Sequence, residues 1–210
     1  MLVHPGASLG ARPRRAVPIG VPLGDAGPTP AGGSFSLVLA PPVLLGEVEA
    51  RLLLDVVARG QDVVLVCGDN RLDAFGLLAR ARSRGLEDAL ADGVRLTRAF
   101  TVHQFVALLE ETLPRMAREQ GTGLALVTGV LEPFLDEDVT PAEARALLPR
   151  TLDRLARTGA DCGLPVVATN PPRTGRLADL ARAHAPSCVE MGTWRVEGPQ
   201  RRLDAFAEVA

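Results

Sequence analysis

The chain has 210 residues, of which 47% are hydrophobic and 23% charged, and its formal net charge is -2. This composition predicts one globular domain large enough to bury a core, and it excludes a disordered or fibrous protein. All 23 basic residues are Arg, because the sequence contains no Lys. The absence of Lys excludes a Schiff-base lysine, a lysine general base and a phosphate-binding loop with its usual Lys.

The charge balance, the apolar runs and the cysteines indicate which partners and which cellular compartment to expect. A near-neutral chain gives no global electrostatic reason to expect a nucleic acid as partner. Its apolar runs fall far short of the roughly 20 residues that a membrane span requires, and residues 1–10 lack the pattern of a secretory signal. The cysteines Cys67, Cys162 and Cys188 are odd in number and widely spaced, which favours reduced, mostly buried thiols in the cytoplasm.

Short apolar runs alternate with amphipathic segments along most of the chain. A segment rich in Gly, Pro and Arg, residues 1–17, comes first. Strands are predicted at 36–40, 62–68, 93–98, 123–128 and 164–169. Helices are predicted at 46–59, 73–84, 105–116 and 140–158, with a bend or break at Pro114 and a kink at Pro149. Residues 188–195 and 200–205 have the pattern of an antiparallel hairpin. The alternation predicts a doubly wound α/β fold, a mostly parallel sheet with helices on both faces.

Several segments stand in an order and spacing that a known family shares. They are Pro18–Asp25 followed by the strand up to Pro42, Val63–Glu87, Arg98–Gln104 and Ala168–Asn170. The Arg-Ala-Phe segment that ends in His103-Gln104 is the most specific of them. Together they resemble the ATPase core of the RecA/RadA recombinase family. The resemblance implies that residues 18–210 form a RecA-like core domain.

The phosphate-binding loop that the resemblance implies is broken in this sequence. Where the family has Gly-x-x-x-x-Gly-Lys-[Ser/Thr], residues 41–48 read PPVLLGEV, so that Gly46 is kept. Pro41 and Pro42 have no N–H for a phosphate, Glu47 replaces the Lys, and Val48 has no oxygen for Mg²⁺. The Lys would attract the phosphates, whereas Glu47 repels them. At about 4 Å and an effective dielectric constant of ~20, this change makes the binding free energy of a triphosphate less favourable by several kcal/mol.

Three further positions of the implied nucleotide site also argue against nucleotide chemistry. Thr128 lies where the resemblance implies an Asp that orients Mg²⁺, and Asn170 is followed by Pro171 instead of the sensor Gln. Asp69 lies where the family has its water-activating Glu, but a lone acid without nucleotide or metal has nothing to activate. We therefore expect a protein without ATPase activity, cofactor or metal.

The resemblance also indicates where DNA contact would occur. Arg173, Arg176 and Arg182 follow the last predicted strand, where the family has a DNA-contacting loop, and Arg is a residue that binds phosphate. The alternative is that these residues form a solvated face. Residues 135–138 correspond to the other DNA loop, but they read LDED and should repel a phosphate backbone. At most a weak DNA contact is expected.

The functional expectation is a non-catalytic RecA/RadA-like protein that regulates or assists bacterial DNA recombination or repair through protein contacts. Its partner would be a recombinase, a polymerase or a second copy of the chain. One alternative is an SOS-type cell-division inhibitor that binds a filament-forming GTPase, because another RecA-like lineage without a phosphate loop acts in that way. A second alternative is an enzyme with a new pocket built from Asp69, His103 and Asn170. Trp194 and Phe206 are either partner anchors or core residues.

Overall fold

Strands and helices alternate along the part of the chain that the structure, a computed structural model, describes, which is residues 33–191. The strands are β1 (Phe35–Leu39), β2 (Asp62–Cys67), β3 (Val94–Arg98), β4 (Thr122–Thr128), β5 (Val166–Asn170) and β6 (Ser187–Glu190). The helices are α1 (Pro42–Val57), α2 (Ala74–Ser83), α3 (Glu87–Gly93), α4 (Val102–Ala107), α5 (Leu113–Ala117), α6 (Pro141–Cys162) and α7 (Arg176–His184). A π-helical turn, Leu108–Thr112, joins α4 to α5, and a 3-10 turn, Glu132–Leu135, follows β4.

The six strands form one sheet in the order β3-β2-β4-β5-β1-β6, and all five pairs of neighbours are parallel. Residues of both pleat faces are buried in the central strands, as in the run Phe35–Leu39. Continuous apolar runs are typical of parallel strands that helices cover on both sides. The predicted doubly wound α/β architecture is therefore confirmed.

Two separate apolar cores lie on the two faces of the sheet. One face packs against α1 and α2, with Leu53 and Val56 fully buried against Leu65 and Leu126 of the sheet. The other face packs against α4 to α7, where Phe105 and Phe134 meet edge to face at 6.1 Å between ring centroids. Because helices cover both faces, the ends of the strands are the places where polar chemistry can reach solvent.

The structure corrects the predicted helices at three places. Helix α1 begins at Pro42, four residues before the predicted start, because Pro at the first helical position is pre-organised for a helix. Helix α3 was not predicted, since seven residues carry too little periodicity. Helix α7 forms where a DNA-contacting loop was expected, and its Ala178 and Ala181 are buried one turn apart.

Pro114 divides its helix as predicted, and the structure gives the mechanism. Leu113 N–H bonds to the carbonyl of Leu108 in a π-helical turn immediately before the proline. In a regular helix the N–H of residue 114 would bond the carbonyl of Glu110, and proline has no N–H. The Arg154 guanidinium of α6 donates two hydrogen bonds to that carbonyl, at 3.2 and 2.9 Å. Helix α6, in contrast, continues through Pro149 to Cys162.

The predicted C-terminal hairpin lies mostly outside the described residues. Its first residues belong to β6, which pairs in parallel with β1 in the register Leu37 to Cys188. The return strand, Trp194 and Phe206 lie beyond residue 191, and the segment 1–17 and the match at Pro18–Asp25 lie before residue 33. No helix between residues 33 and 191 is both long and apolar enough to cross a membrane.

Candidate functional site at the carboxyl edge of the sheet

The carboxyl ends of β1, β2, β4 and β5 bring most of the predicted site residues to one edge of the sheet. Pro41 follows β1, Asp69 follows β2, Thr128 ends β4 and Asn170 ends β5. Open α/β sheets bind ligands in crevices at this edge. We refer to it as the carboxyl edge.

Two adjoining clefts open at the carboxyl edge. The first has a volume of about 250 Å³ and lies between the N-terminal half of α1 and the start of α2. The second has a volume of about 540 Å³ and lies among the loops that follow β2, β3, β4 and β5. Pro42 and Arg71 line both clefts. Of the predicted nucleotide positions, Gly46 and Glu47 line the first cleft, Asp69 lines the second and Pro42 lines both.

The connection from β1 to α1 is too short to wrap a phosphate. It consists of Ala40 and Pro41 alone, and Leu45 N–H already bonds the Pro41 carbonyl at 3.0 Å. A helix start normally exposes four N–H groups that the helix cannot satisfy. Pro41 and Pro42 remove two of them, so only Val43 and Leu44 keep such a group. The N-terminus of α1 is a poor anion site for this reason.

The other three residues of the broken loop lie within α1. Gly46 is exposed, and an added Cβ would meet nothing within 4 Å. Val48 is buried in the core between α1 and the sheet. Glu47 is exposed and forms an ion pair with Arg80 of α2. None of these side chains therefore presents a cation or a hydroxyl to either cleft.

Asp69 is held in place by its neighbours on β4 and by Arg71. The Thr128 hydroxyl donates to Oδ1 at 3.2 Å, and Arg71 Nε donates to Oδ2 at 2.8 Å. The close packing requires a glycine at position 129, where φ is +61° and an added Cβ would lie 2.4 Å from Asp69 Cγ. The charge of the Asp69 carboxylate is thus neutralised by Arg71 of the same loop.

Asn170 is fully buried and fixes the loop that follows β4. Its Oδ1 accepts a hydrogen bond from Leu131 N–H at 2.9 Å, and its Nδ2 donates to Glu132 Oε1 at 3.2 Å and to the Pro171 carbonyl at 3.0 Å. Glu132 in turn accepts two hydrogen bonds from Arg173, one from Nε and one from Nη2. Asn170 therefore connects the end of β5 to the 3-10 turn through its side-chain hydrogen bonds.

The structure adds Glu49, a residue that the sequence reasoning missed. It lies on α1, is 7% exposed, accepts a hydrogen bond from the Thr169 hydroxyl and lines the first cleft. Burial raises the pKa of the Glu49 carboxyl, although the Thr169 hydrogen bond opposes the rise. An acid within the apolar run of α1 was a signal that could have been followed, since charged residues are rarely buried without a reason.

Two of the three arginines predicted as DNA contacts lie close together, because the Arg182 guanidinium donates to the Arg173 carbonyl at 3.2 Å, and both form ion pairs. Arg173 is paired with Glu132, and Arg182 on α7 is paired with Glu190 of β6 and with Asp179. Arg176 is exposed at the first position of α7 and forms no ion pair with another described residue. Two of the three guanidiniums are therefore already engaged by carboxylates.

His103 does not join Asp69 and Asn170. It is exposed on the first turn of α4, with its Nε2 3.3 Å from Glu143 Oε1 of α6, and it lines neither cleft. The residues next to it have local roles. Thr101 accepts a hydrogen bond from Gln104 N–H, and Gln104 Oε1 accepts one from Phe100 N–H, which caps the helix. The pocket proposed from these three residues is not assembled.

Comparison with known proteins gives no family assignment. No protein-family model matches the chain, and a search of curated proteins finds no significant match. Among residues 33–191, no group of three His, Cys, Asp or Glu side chains has the arrangement of a metal site.

Proposed function

We propose that the protein is a non-catalytic RecA/RadA-like core that acts through protein contacts as an accessory or regulatory factor in bacterial DNA recombination or repair. The parallel six-stranded sheet is compatible with such a core. The residues that the resemblance assigns to nucleotide binding lie together at the carboxyl edge, where an α/β protein would bind a nucleotide. The pathway itself rests on the resemblance.

The loss of nucleotide chemistry is carried by one observation, the two-residue connection between β1 and α1. A phosphate loop needs glycine-rich backbone that turns several N–H groups toward the phosphates. Here the helix begins at Pro42, directly after Ala40 and Pro41. The chain has no room at this point for such a loop.

The charges around the clefts support the same proposal. Glu47 pairs with Arg80, Asp69 with Arg71, and Glu132 with Arg173. Each guanidinium that lines the clefts is thus already bound to a carboxylate of the protein itself. A triphosphate would have to compete with these internal pairs and would meet the buried Glu49. The favourable charge that a nucleotide site provides is missing.

Binding measurements with purified partners test the proposed function. The full chain is immobilised and exposed separately to the recombinase, a polymerase and the division GTPase of the same organism. Binding to the recombinase or the polymerase is expected. Binding to the division GTPase alone would replace the proposal with the division-inhibitor alternative, and binding to none of the three would contradict both.

A further inference from the structure

The surface around the two clefts carries an excess of negative charge. The residues that line them include six carboxylates and three guanidiniums: Glu47, Glu49, Asp69, Asp73, Glu132 and Asp136 against Arg71, Arg80 and Arg173. Asp138 and Glu137 follow on the exposed loop after β4. A field of this sign attracts cationic groups and repels phosphate.

Exposed apolar side chains are concentrated at the same edge. Six large apolar residues are exposed within residues 33–191, and four of them lie on the loops or the first helical turns at the carboxyl edge: Val43, Phe75, Phe100 and Leu135. Phe75 is 88% exposed and Phe100 is 76% exposed, and the Arg98 guanidinium stacks over the Phe100 ring at 5.2 Å. Of the other two, Leu78 lies on the second turn of α2 and Leu96 on the edge strand β3.

Glu49 distinguishes this surface from an ordinary acidic patch. Glu49 lines the first cleft although it is 7% exposed, and none of the ion pairs among the described residues includes it. Its carboxylate accepts a hydrogen bond from the neutral Thr169 hydroxyl, while the charge of Asp69 repels it and that of Arg71 attracts it. A buried carboxylate that has no ion pair of its own is costly unless a cation joins it. The first cleft therefore has both the shape and the charge to accept a guanidinium or ammonium group.

We propose that the carboxyl edge binds a basic segment of a partner protein. An Arg or Lys of that segment enters the first cleft beside Glu49, and apolar side chains of the segment cover Phe75 and Phe100. This inference rests on the proposed function, because it gives the chemistry of the protein contact. Aromatic side chains on one partner and an Arg on the other are both enriched in the buried centre of protein interfaces.

The inference is tested with a fluorescein-labelled peptide that alternates Arg with Leu and Phe, and with the same peptide in which Glu replaces Arg. Fluorescence anisotropy is measured with the full chain at two salt concentrations. The basic peptide is expected to bind, with an affinity that falls as the salt concentration rises, whereas the acidic peptide is expected not to bind. A labelled single-stranded DNA serves as a third probe and is expected to bind more weakly than the basic peptide.

Substitutions locate the binding. Glu49→Gln removes the charge but keeps an acceptor for the Thr169 hydroxyl. We expect it to lower the affinity for the basic peptide roughly tenfold. Phe100→Ala alters an exposed side chain and is expected to weaken binding about three- to tenfold. Leu96→Ala, an exposed apolar residue on β3, is the matched control and is expected to leave binding unchanged. Circular dichroism verifies that each variant is folded.

Several results would overturn the inference. They are absence of binding by the basic peptide, equal binding by both peptides, preferential binding of DNA, and binding that Glu49→Gln and Phe100→Ala leave intact. Binding that appears only after Arg12, Arg14 and Arg15 are replaced by Ser would show that the chain itself supplies the occupant, which also contradicts a foreign partner. The binding measurements with purified partners decide the proposed function separately, so the two failures are distinguishable.

Discussion

Single residues at the carboxyl edge stabilise the fold at positions where a nucleotide site would use them for chemistry. Asn170 is the clearest case, because all of its polar atoms are hydrogen-bonded within the protein. Asp69 is similarly occupied by Thr128 and Arg71. Glu49 differs from both, since burial opposes its charged form. These differences lead to two predictions at this scale.

Asn170→Ala is expected to lower the free energy of unfolding by about 1–3 kcal/mol, because it leaves the Leu131 N–H buried without its acceptor. Urea denaturation followed by circular dichroism measures the change. Asn70→Ala, at an exposed position on the second cleft, is the control and is expected to change stability by less than about 0.5 kcal/mol. Equal effects of the two substitutions would contradict the bridging role.

Glu49→Gln is expected to make the protein more stable at pH 7 than the unmodified chain. The pKa of Glu49 is raised in the folded state above its ordinary value of 4.5, so the folded protein holds a proton that the unfolded chain releases. Stability from this group is therefore present below pH 4.5 and is lost as the pH rises toward the folded pKa. The advantage of the Gln variant should shrink when denaturation is repeated at pH 4. A gain that is independent of pH would argue against a titrating Glu49.

At the scale of elements, the interrupted helix from α4 to α5 depends on a side chain from α6. Arg154→Met keeps much of the aliphatic contact but removes the two donors to the Glu110 carbonyl. We expect a loss of about 1–3 kcal/mol in the free energy of unfolding. Arg157→Met, one turn along α6 at an exposed position, should lie within about 0.5 kcal/mol of the original protein. If both variants are equally stable, the carbonyl is satisfied in another way.

The sequence pattern predicted the four central strands of the sheet because each of them is a continuous apolar run, as in Val63–Cys67. It predicted the edge strand β3 from its alternation of apolar and polar residues. It misplaced the start of α1, since Pro41-Pro42 was interpreted only as the end of a strand. It missed α7, although Leu177, Ala178 and Ala181 follow helical spacing. The resemblance placed a DNA-contacting loop over that segment, and the local periodicity was the better guide.

Part of the candidate site was also accessible from sequence. Asp69, Thr128 and Asn170 were placed correctly at the ends of neighbouring strands, because parallel strands share one carboxyl edge. Glu49 could not be located in the same way, since its role depends on the contact between α1 and Thr169 of β5, 120 positions later in the chain. The separation of His103 from Asp69 likewise depends on how α4 packs against α6.

At the scale of the whole molecule, the two helical layers leave the carboxyl edge as the surface where clefts, negative charge and exposed aromatic side chains coincide. An active nucleotide site at this edge would need cations and free N–H groups, and this chain places carboxylates and prolines there. The same features suit contact with a basic protein segment. In our proposal, the absence of nucleotide binding and the protein-binding surface are therefore two consequences of one arrangement.

The most direct test of this account is a titration of the full chain with a fluorescent ATP analogue in the presence and absence of Mg²⁺. The account predicts no saturable binding up to millimolar nucleotide, and no effect of Mg²⁺. Micromolar affinity that requires Mg²⁺ and disappears in Glu47→Ala would contradict it, because the N-terminal part of α1 would then be a working nucleotide site.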